Sequence, residues 1–173
     1  FLYKRSAGTA DIITTVSSFS QASIEKHLEC NKEVYVIRNG VRRSLFERRD
    51  HHNARDFIRK KYRLHRFILY VSRIEPRKNH LALLNAYLRL HLYKKNLSLV
   101  FIGHPAIPVS KLDDQLRNLD DAARKHVLFL TNVPDTDLER FYQAADVLVY
   151  PSRAEGFGIP PLEAAAAQVP VIC

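Results

Sequence analysis

Methionine is absent from the 173-residue sequence, and cysteine and glycine are scarce, with two and five copies. Cys30 and Cys173 lie far apart and form no C-x-x-C pair, which argues against a disulfide framework and favours two inert thiols of a reducing compartment. No apolar run approaches the ~20 residues that cross a bilayer, and no signal peptide is evident. Because the chain starts with Phe1 and lacks Met, we expect a piece of a longer protein.

Several signatures of phosphate binding and nucleophilic catalysis are also missing. The sequence contains no G-x-x-x-x-G-K-[ST], no G-x-G-x-x-G after a strand and no G-x-S-x-G. These absences argue against a P-loop NTPase, a dinucleotide dehydrogenase and a serine hydrolase. The eight His show no ligand spacing, and the pair His51-His52 is expected in a solvated loop, so no metal site is predicted.

The net charge of +9 is concentrated in the first part of the chain. Residues 1–66 hold 15 Lys and Arg against 7 Asp and Glu, and the stretch Arg38–Arg66 alone holds 11 of these cations against three acids. Such a stretch attracts nucleic acid, an anionic membrane surface or a phosphorylated substrate, or it serves as a solvated helical connector. No aromatic platform accompanies the charges, so no nucleic acid is expected as a partner.

Apolar runs alternate with helical patterns along the chain. Strands are predicted at 11–16, 33–37, 67–71, 97–102, 127–130, 147–150 and 169–173. Helices are predicted at 18–28 with Ser18 or Ser20 as cap, at 53–62, 80–93 and 111–125, after a capping Asp135, and from Pro161 to Ala167. This alternation predicts an α/β fold with a doubly wound parallel sheet over 34–173. Residues 1–33 are assigned to a preceding domain, and both ends are expected to be cut.

Candidate functional residues follow the strands of this sheet, where open α/β sheets bind ligands. Arg73 and Lys78 follow the strand 67–71, and Gly156 and Gly158 lie in the loop after 147–150. Backbone N–H groups of a glycine-containing turn before a helix suit an anion such as phosphate. Purely structural explanations stay open for each feature. Arg73 and Lys78 would then lie in a solvated loop, and the glycines would form a tight turn with Phe157 in the core. Glu163 would be an acid in the first turn of a helix, where it interacts favourably with the helix dipole.

Five segments then resemble one known family, the retaining glycosyltransferases of family 4 (group 1 glycosyltransferases). The segment 155–163, EGFGIPPLE, is similar to the family's E-G-F-G-x-P-x-x-E signature, and the segment 145–152, ADVLVYPS, to its A-D-V-x-V-x-P-S strand. The segments 71–79, 36–41 and 15–20 resemble further motifs in the family's order. Three positions depart from the family pattern, because each holds another residue where Gly is common: Ser72, Asn79 and Gln168.

The resemblance implies the C-terminal, donor-binding half of a two-domain B-type fold with Rossmann-like halves. Arg73 and Lys78 would hold the donor pyrophosphate and stabilise the leaving group without a metal or other cofactor. Glu155 would touch hydroxyls of the donor sugar, and Glu163 would bind the ribose. Contacts with the sugar, phosphates and base would come from Asn132, Val133, Gly156, Phe157, Gly158 and Ile159.

The function that the resemblance implies is transfer of a sugar from a UDP-, GDP- or dTDP-linked donor with retention of configuration, in the synthesis of a cell-surface polysaccharide or lipopolysaccharide. A cytoplasmic location is expected, with the basic stretch at the inner face of the membrane. Because most of the acceptor domain is absent, the chain alone is expected to be inactive. The alternatives are a non-catalytic module that binds a sugar nucleotide or a polyanion, and a sugar-nucleotide epimerase.

Overall fold

The computed structural model describes residues 2–28, 32–47 and 50–173 and divides them between two compact units. The smaller unit comprises the chain up to Gly40 together with the segment Glu155–Ile159, and the larger unit comprises Val41–Ala154 and Pro160–Cys173. Cys30, one of the two thiols expected to be inert, lies outside the described residues. Cys173 is a free, exposed cysteine.

The smaller unit contains two helices and a two-stranded parallel sheet. Its elements are α1 (Leu2–Thr9), β1 (Ile13–Thr15), α2 (Ser18–Leu28) and β2 (Val34–Val36), and β1 pairs with β2. The sequence did not predict α1. The helix α2 is capped by Ser17, whose hydroxyl accepts the Ser20 N–H at 3.1 Å, rather than by Ser18 or Ser20. The strand β2, assigned from the sequence to the large domain, pairs here with β1, while the predicted domain boundary at 33/34 stays a prediction.

The larger unit is built on a five-stranded parallel sheet, which confirms the predicted fold class. Its strands are β3 (Phe67–Val71), β4 (Ser98–Ile102), β5 (Val127–Leu130), β6 (Val147–Val149) and β7 (Val171–Ile172), in the spatial order β5-β4-β3-β6-β7. The chain moves outward from β3 to β5 and then returns to the other side of β3 as β6. The order therefore reverses between β3 and β6, and ligands of open α/β sheets bind at such a switch point.

The helices of the larger unit differ in their limits from the predicted ones. They are α3 (Ser44–Glu47), α4 (His51–Tyr62), α5 (His80–Arg89), α6 (Ser110–Arg117), α7 (Asp121–Arg124), α8 (Asp135–Ala144) and α9 (Ile159–Ala166), of which α9 starts at the last residue of the smaller unit. The predicted helix 80–93 ends at Arg89 and is followed by a 3₁₀ turn, Leu92–Lys95. The predicted helix 111–125 is interrupted, because Asp120 caps a separate helix by accepting the Ala123 N–H.

Predicted helix starts were also wrong. The helix α4 begins at His51, so the pair His51-His52, which was expected in a solvated loop, lies in its first turn. Asp135 is the first residue of α8 and Pro134 precedes it as cap, without a side-chain capping bond. The helix α9 begins at Ile159, two residues before Pro161. Glu163 therefore lies in the second turn of α9, and the explanation of this acid by the helix dipole at the first turn fails.

The hydrophobic core lies on both faces of the central strands β3 and β4. Every residue of β4 is buried, and so are Phe67 to Tyr70 of β3. The helix α5 packs on the core through Leu83, Leu84 and Tyr87, which are buried, and through the half-buried Leu88. Burying one such side chain stabilises the fold by about 1.5–3 kcal/mol.

Gly103, directly after β4, lies in close backbone contact with Ser72, which follows the neighbouring strand β3. Its φ is +150°, and a Cβ built on it would lie 2.0 Å from the carbonyl oxygen of Ser72. The Ser72 N–H in turn donates to Ile102 O at 3.0 Å. Only glycine allows the loops after β3 and β4 to approach in this way.

We predict that Gly103→Ala lowers the free energy of unfolding by roughly 2 kcal/mol or more, since backbone must move and the residue is strained. Chemical denaturation would show a lower midpoint at unchanged slope. Gly40→Ala is the matched control, because no atom lies within 4 Å of its Cβ position. An equal effect of the two substitutions would contradict the assigned close approach.

Candidate functional site

The loops that follow β3 and β6 are bonded to each other at the switch point of the sheet. The Arg77 guanidinium donates to Ala154 O at 2.8 Å, and the Arg153 N–H donates to Arg77 O at 2.9 Å. The side-chain amide of Asn79 donates to Pro151 O at 3.2 Å. These bonds hold the two loops together at the carboxyl edge, where the sequence predicted the site.

Lys78 lies at this edge with its side chain buried. It ends the 3₁₀ turn Pro76–Lys78 and is 8% exposed. Its ammonium donates to the Tyr150 hydroxyl at 3.2 Å and lies 5.5 Å from the centre of that ring. The Tyr70 hydroxyl donates to Lys78 O at 2.5 Å. A lysine held in this way supplies a positive charge in a fixed position.

Glu75 lies between the two arginines of the same loop and contacts both. Its side chain is 6% exposed, with Arg77 Nη2 at 2.7 Å and Arg73 Nη2 at 3.9 Å from its two carboxylate oxygens. The Arg73 side chain itself is 70% exposed. Arg77 is therefore engaged with the protein, whereas Arg73 extends into solvent, where it can reach an anionic ligand.

Glu163 is a buried carboxylate held by groups from other elements. The Tyr142 hydroxyl of α8 donates to Glu163 Oε2 at 2.7 Å, and Arg42 Nε lies 3.5 Å from Oε1. Arg42 also contacts Asp135 at 3.3 Å. Burial, and then the charge of Glu163, raise the pKa of the Tyr142 hydroxyl far above its ordinary value. The hydroxyl therefore stays protonated as a donor and orients the carboxylate.

His80 is buried beside Lys78 behind the loop. Its ring lies 4.6 Å from that of Tyr70, and its Nε2 is 3.3 Å from the Ser72 hydroxyl. Its Nδ1 has no hydrogen-bond partner in the part of the chain that the structure describes. Burial, and then the charge of Lys78, lower the pKa of the imidazole to about 4. The neutral ring therefore adds no second charge next to the ammonium group.

The remaining predicted residues fall into two groups. Asn132 and Val133 follow β5 in the larger unit, where Asn132 is exposed with a φ of 55° and Val133 packs against the core. The larger unit thus contains Arg73, Lys78, Asn132, Val133 and Glu163.

The segment Glu155–Ile159 belongs to the smaller unit, with Glu155, Gly156, Phe157, Gly158 and Ile159. Within that unit the Ser20 hydroxyl donates to Gly156 O at 3.4 Å. Gly158 has a φ of 81°, as expected for a tight turn, but Phe157 is half-buried rather than in the core.

Sequence reasoning missed the residues that hold the site. Arg42 was counted only as part of the basic stretch, and Glu75, Tyr142 and Tyr150 were not assigned a role. Arg42, Tyr142 and Tyr150 are brought to the site by tertiary packing from other segments, and no local spacing marks them. An acid between two arginines, as in Arg73-Ile74-Glu75-Pro76-Arg77, was the one signal available.

The basic stretch is partly neutralised in the structure. Asp135, Asp56, Asp137 and Asp146 pair with four of its cations, which are Arg42, Arg59, Lys61 and Arg66. Arg48 and Arg49 lie outside the described residues. The exposed face of α4 keeps Arg55 and Lys60 among its cations.

The described residues include no group of three or more His, Cys, Asp or Glu side chains arranged to hold a metal ion. Within the same residues no helix has the length and apolar character needed to cross a membrane.

Comparison with known sequences assigns the family. The family model "Glycosyl transferases group 1" matches residues 35–173. The O-antigen chain mannosyltransferase B of Escherichia coli is 34% identical, with 97% of this chain and 44% of that protein aligned. The O-antigen chain mannosyltransferase RfbU of Salmonella typhimurium is 33% identical over 99% of this chain and 44% of its own length. The chain belongs to the group 1 glycosyltransferases, and it spans less than half the length of these curated relatives.

Solved structures show the same fold. WaaG, a glycosyltransferase involved in lipopolysaccharide biosynthesis, superposes with a TM-score of 0.75 at 23% identity, over 91% of this chain and 42% of WaaG. HepE from Anabaena, solved with UDP-glucose, superposes with a TM-score of 0.77 at 21% identity, over 96% of this chain and 45% of HepE. The chain thus corresponds to the C-terminal half of the B-type glycosyltransferase fold, as predicted.

The lowered pKa of His80 predicts a loss of stability in acid. Between pH 6.5 and about 4 the unfolded chain takes up a proton at this imidazole that the folded chain does not, so the free energy of unfolding falls as the pH falls. We expect His80→Phe to lose less stability than the parent chain between about pH 7 and about pH 4.5 in urea denaturation.

The exposed His104 serves as the control, and His104→Gln should keep the acid sensitivity of the parent chain. An unchanged pH dependence in His80→Phe would show that the buried imidazole does not resist protonation.

Proposed function

We propose that this chain is the donor-binding half of a retaining glycosyltransferase that uses a nucleotide-diphosphate sugar. The observation that carries the proposal is the pair of cations after β3, with Lys78 fixed and Arg73 extended, at the switch point of the sheet. The full reaction belongs to the longer protein, and the chain alone is proposed to bind the donor without transferring the sugar.

The two cations suit a diphosphate that becomes a leaving group. As the glycosidic bond to the donor breaks, negative charge grows on the diphosphate, and positive charges held in advance stabilise it without reorganising. Lys78 offers a point charge, and Arg73 offers a planar fork that can bind two phosphate oxygens. We therefore propose that these two side chains stabilise the negative charge that develops on the diphosphate, and that no metal ion is required.

Glu163 is proposed to accept hydrogen bonds from the ribose hydroxyls. A carboxylate has acceptor capacity on both oxygens beyond one bond from Tyr142, whose donation at 2.7 Å fixes its orientation. The remaining contacts are proposed from the family resemblance: Glu155 with hydroxyls of the sugar, Asn132 and Val133 with the base, and backbone groups of Gly156, Phe157, Gly158 and Ile159 with the sugar and phosphates.

Mannose is the proposed donor sugar, with GDP as the nucleotide to test first. The support is the printed function of relatives, which include two O-antigen chain mannosyltransferases and a GDP-mannose-dependent mannosyltransferase of Mycobacterium tuberculosis that is 30% identical over 98% of this chain. The same relatives support a role in the synthesis of a cell-surface polysaccharide or lipopolysaccharide. UDP and dTDP donors remain comparison arms of the experiment.

We expect one nucleoside diphosphate among GDP, UDP and dTDP to raise the melting temperature of the chain, with its sugar conjugate acting similarly. Arg73→Gln and Glu163→Gln should each weaken binding roughly 10- to 100-fold, the effect of losing one charged hydrogen bond. Isothermal titration calorimetry gives the dissociation constants.

The matched control variants make the same changes of charge at residues outside the proposed donor site. Arg89→Gln and Asp113→Asn alter exposed residues of α5 and α6 and should bind as the parent chain does. If no nucleotide binds, or if the controls weaken binding as much as the site variants, the proposed donor site is wrong.

A cytoplasmic location at the inner face of the membrane is proposed for the longer protein. The support is the exposed cationic face of α4, including Arg55 and Lys60, since each cation near an anionic surface contributes about 1 kcal/mol. Exchanging both residues for Gln should reduce sedimentation with phosphatidylglycerol vesicles roughly tenfold or more, whereas Lys94→Gln with Lys95→Gln should reduce it less. Equal losses would contradict a specific role for α4.

A further inference from the structure

A pocket lies at the opposite edge of the sheet from the proposed donor site. Its volume is about 260 Å³. It is formed where the chain enters β3, β4 and β5, with the lining residues Tyr62, Arg63, Leu64, His65, Asn96, Ser98, Lys125, His126 and Leu128. Ligands of the fold's main site bind at the carboxyl ends of the strands, so this amino-end pocket has no part in donor binding.

The lining of this amino-end pocket is fixed by the sheet. The Ser98 N–H donates to Arg66 O at 2.9 Å, and the Leu99 N–H donates to His126 O at 2.7 Å. The Ser98 side chain is buried, and its hydroxyl lies 3.3 Å from His126 Nδ1. Two hydrogen-bonding side chains are therefore held in place before any ligand enters.

Two of the segments that surround the pocket end in left-handed residues. Arg63 follows α4 with a φ of 60°, and its N–H bonds back to Arg59 O. Asn96 ends the 3₁₀ turn Leu92–Lys95 with a φ of 57°. Asparagine tolerates this conformation, but it is uncommon for arginine, so the fold keeps a cationic side chain at a strained position.

The charge of the lining is of one sign. The lining includes Arg63 and Lys125 and two histidines, but no Asp or Glu. Among residues 2–28, 32–47 and 50–173, no ion pair involves Arg63, His65 or Lys125. Neighbouring cations behave differently, since Lys61 pairs with Asp137 and Arg66 pairs with Asp146.

We propose that the amino-end pocket binds a phosphate group. Arg63 and Lys125 supply the opposing charge, and Asn96, Ser98 and His126 supply hydrogen-bonding groups. The volume is below the ~300–1,000 Å³ of pockets for larger organic ligands, which favours inorganic phosphate or a small phosphate ester. A lipid headgroup offers the same chemistry, and the experiment distinguishes these sources.

The test follows the imidazole C–H signals of His65 and His126 by NMR in the 173-residue chain, at constant pH and ionic strength. Inorganic phosphate and glycerol 3-phosphate are titrated to about 10 mM, the range of a weak small-ligand site. Saturable shifts of these two signals are expected. Arg63→Asn and Lys125→Gln should each raise the dissociation constant about tenfold, and Lys111→Gln on α6 should leave it unchanged.

The lipid arm uses phosphatidylglycerol vesicles. Loss of vesicle binding in Lys125→Gln but not in Lys111→Gln, together with no response to the soluble phosphates, would assign the pocket to a lipid headgroup. Phosphate that binds only at the donor site would shift His80 instead and lose its effect in Arg73→Gln. That result, or the absence of any saturable shift and any Lys125-dependent vesicle binding, overturns the proposal.

Discussion

The burial of the Lys78 ammonium group is the constraint on which the carboxyl edge of the sheet depends. A cation removed from water needs polar partners, and here the ring and hydroxyl of Tyr150 supply part of that requirement. Tyr70 fixes the carbonyl of the same lysine, and His80 remains neutral beside it. Tyr150, Tyr70 and His80 thus hold the charge of Lys78 in a fixed position at the switch point.

Further contacts link the loops to the sheet. Glu75 offsets the charge of Arg77, and Arg77 in turn bonds the loop after β6. Gly103 lets the end of β4 approach Ser72, which holds the loop after β3 from its other side. Arg73 alone of the predicted cations extends outward, and it can respond to a ligand without disturbing this framework.

The sequence predicted the parallel sheet, because buried parallel strands are continuous apolar runs. It also places the candidate site at the edge where the strand ends meet, and that placement stays a prediction. It did not predict α1, the break at Asp120 or the contacts of Arg42 and Tyr142, since these depend on tertiary packing. Two departures from the family pattern lie where the backbone favours glycine. Asn79 and Gln168 stand where Gly is usual, and both have a φ near 60°, the conformation that glycine adopts without strain.

A crystal structure of the chain with the nucleoside diphosphate that stabilises it most would test the central claim directly. We expect the diphosphate within hydrogen-bond distance of Arg73 and Lys78 and the ribose hydroxyls on Glu163, with Tyr142 still donating to that carboxylate. A nucleotide bound elsewhere, with these side chains in contact only with the protein, would contradict the assignment of this edge as the donor site.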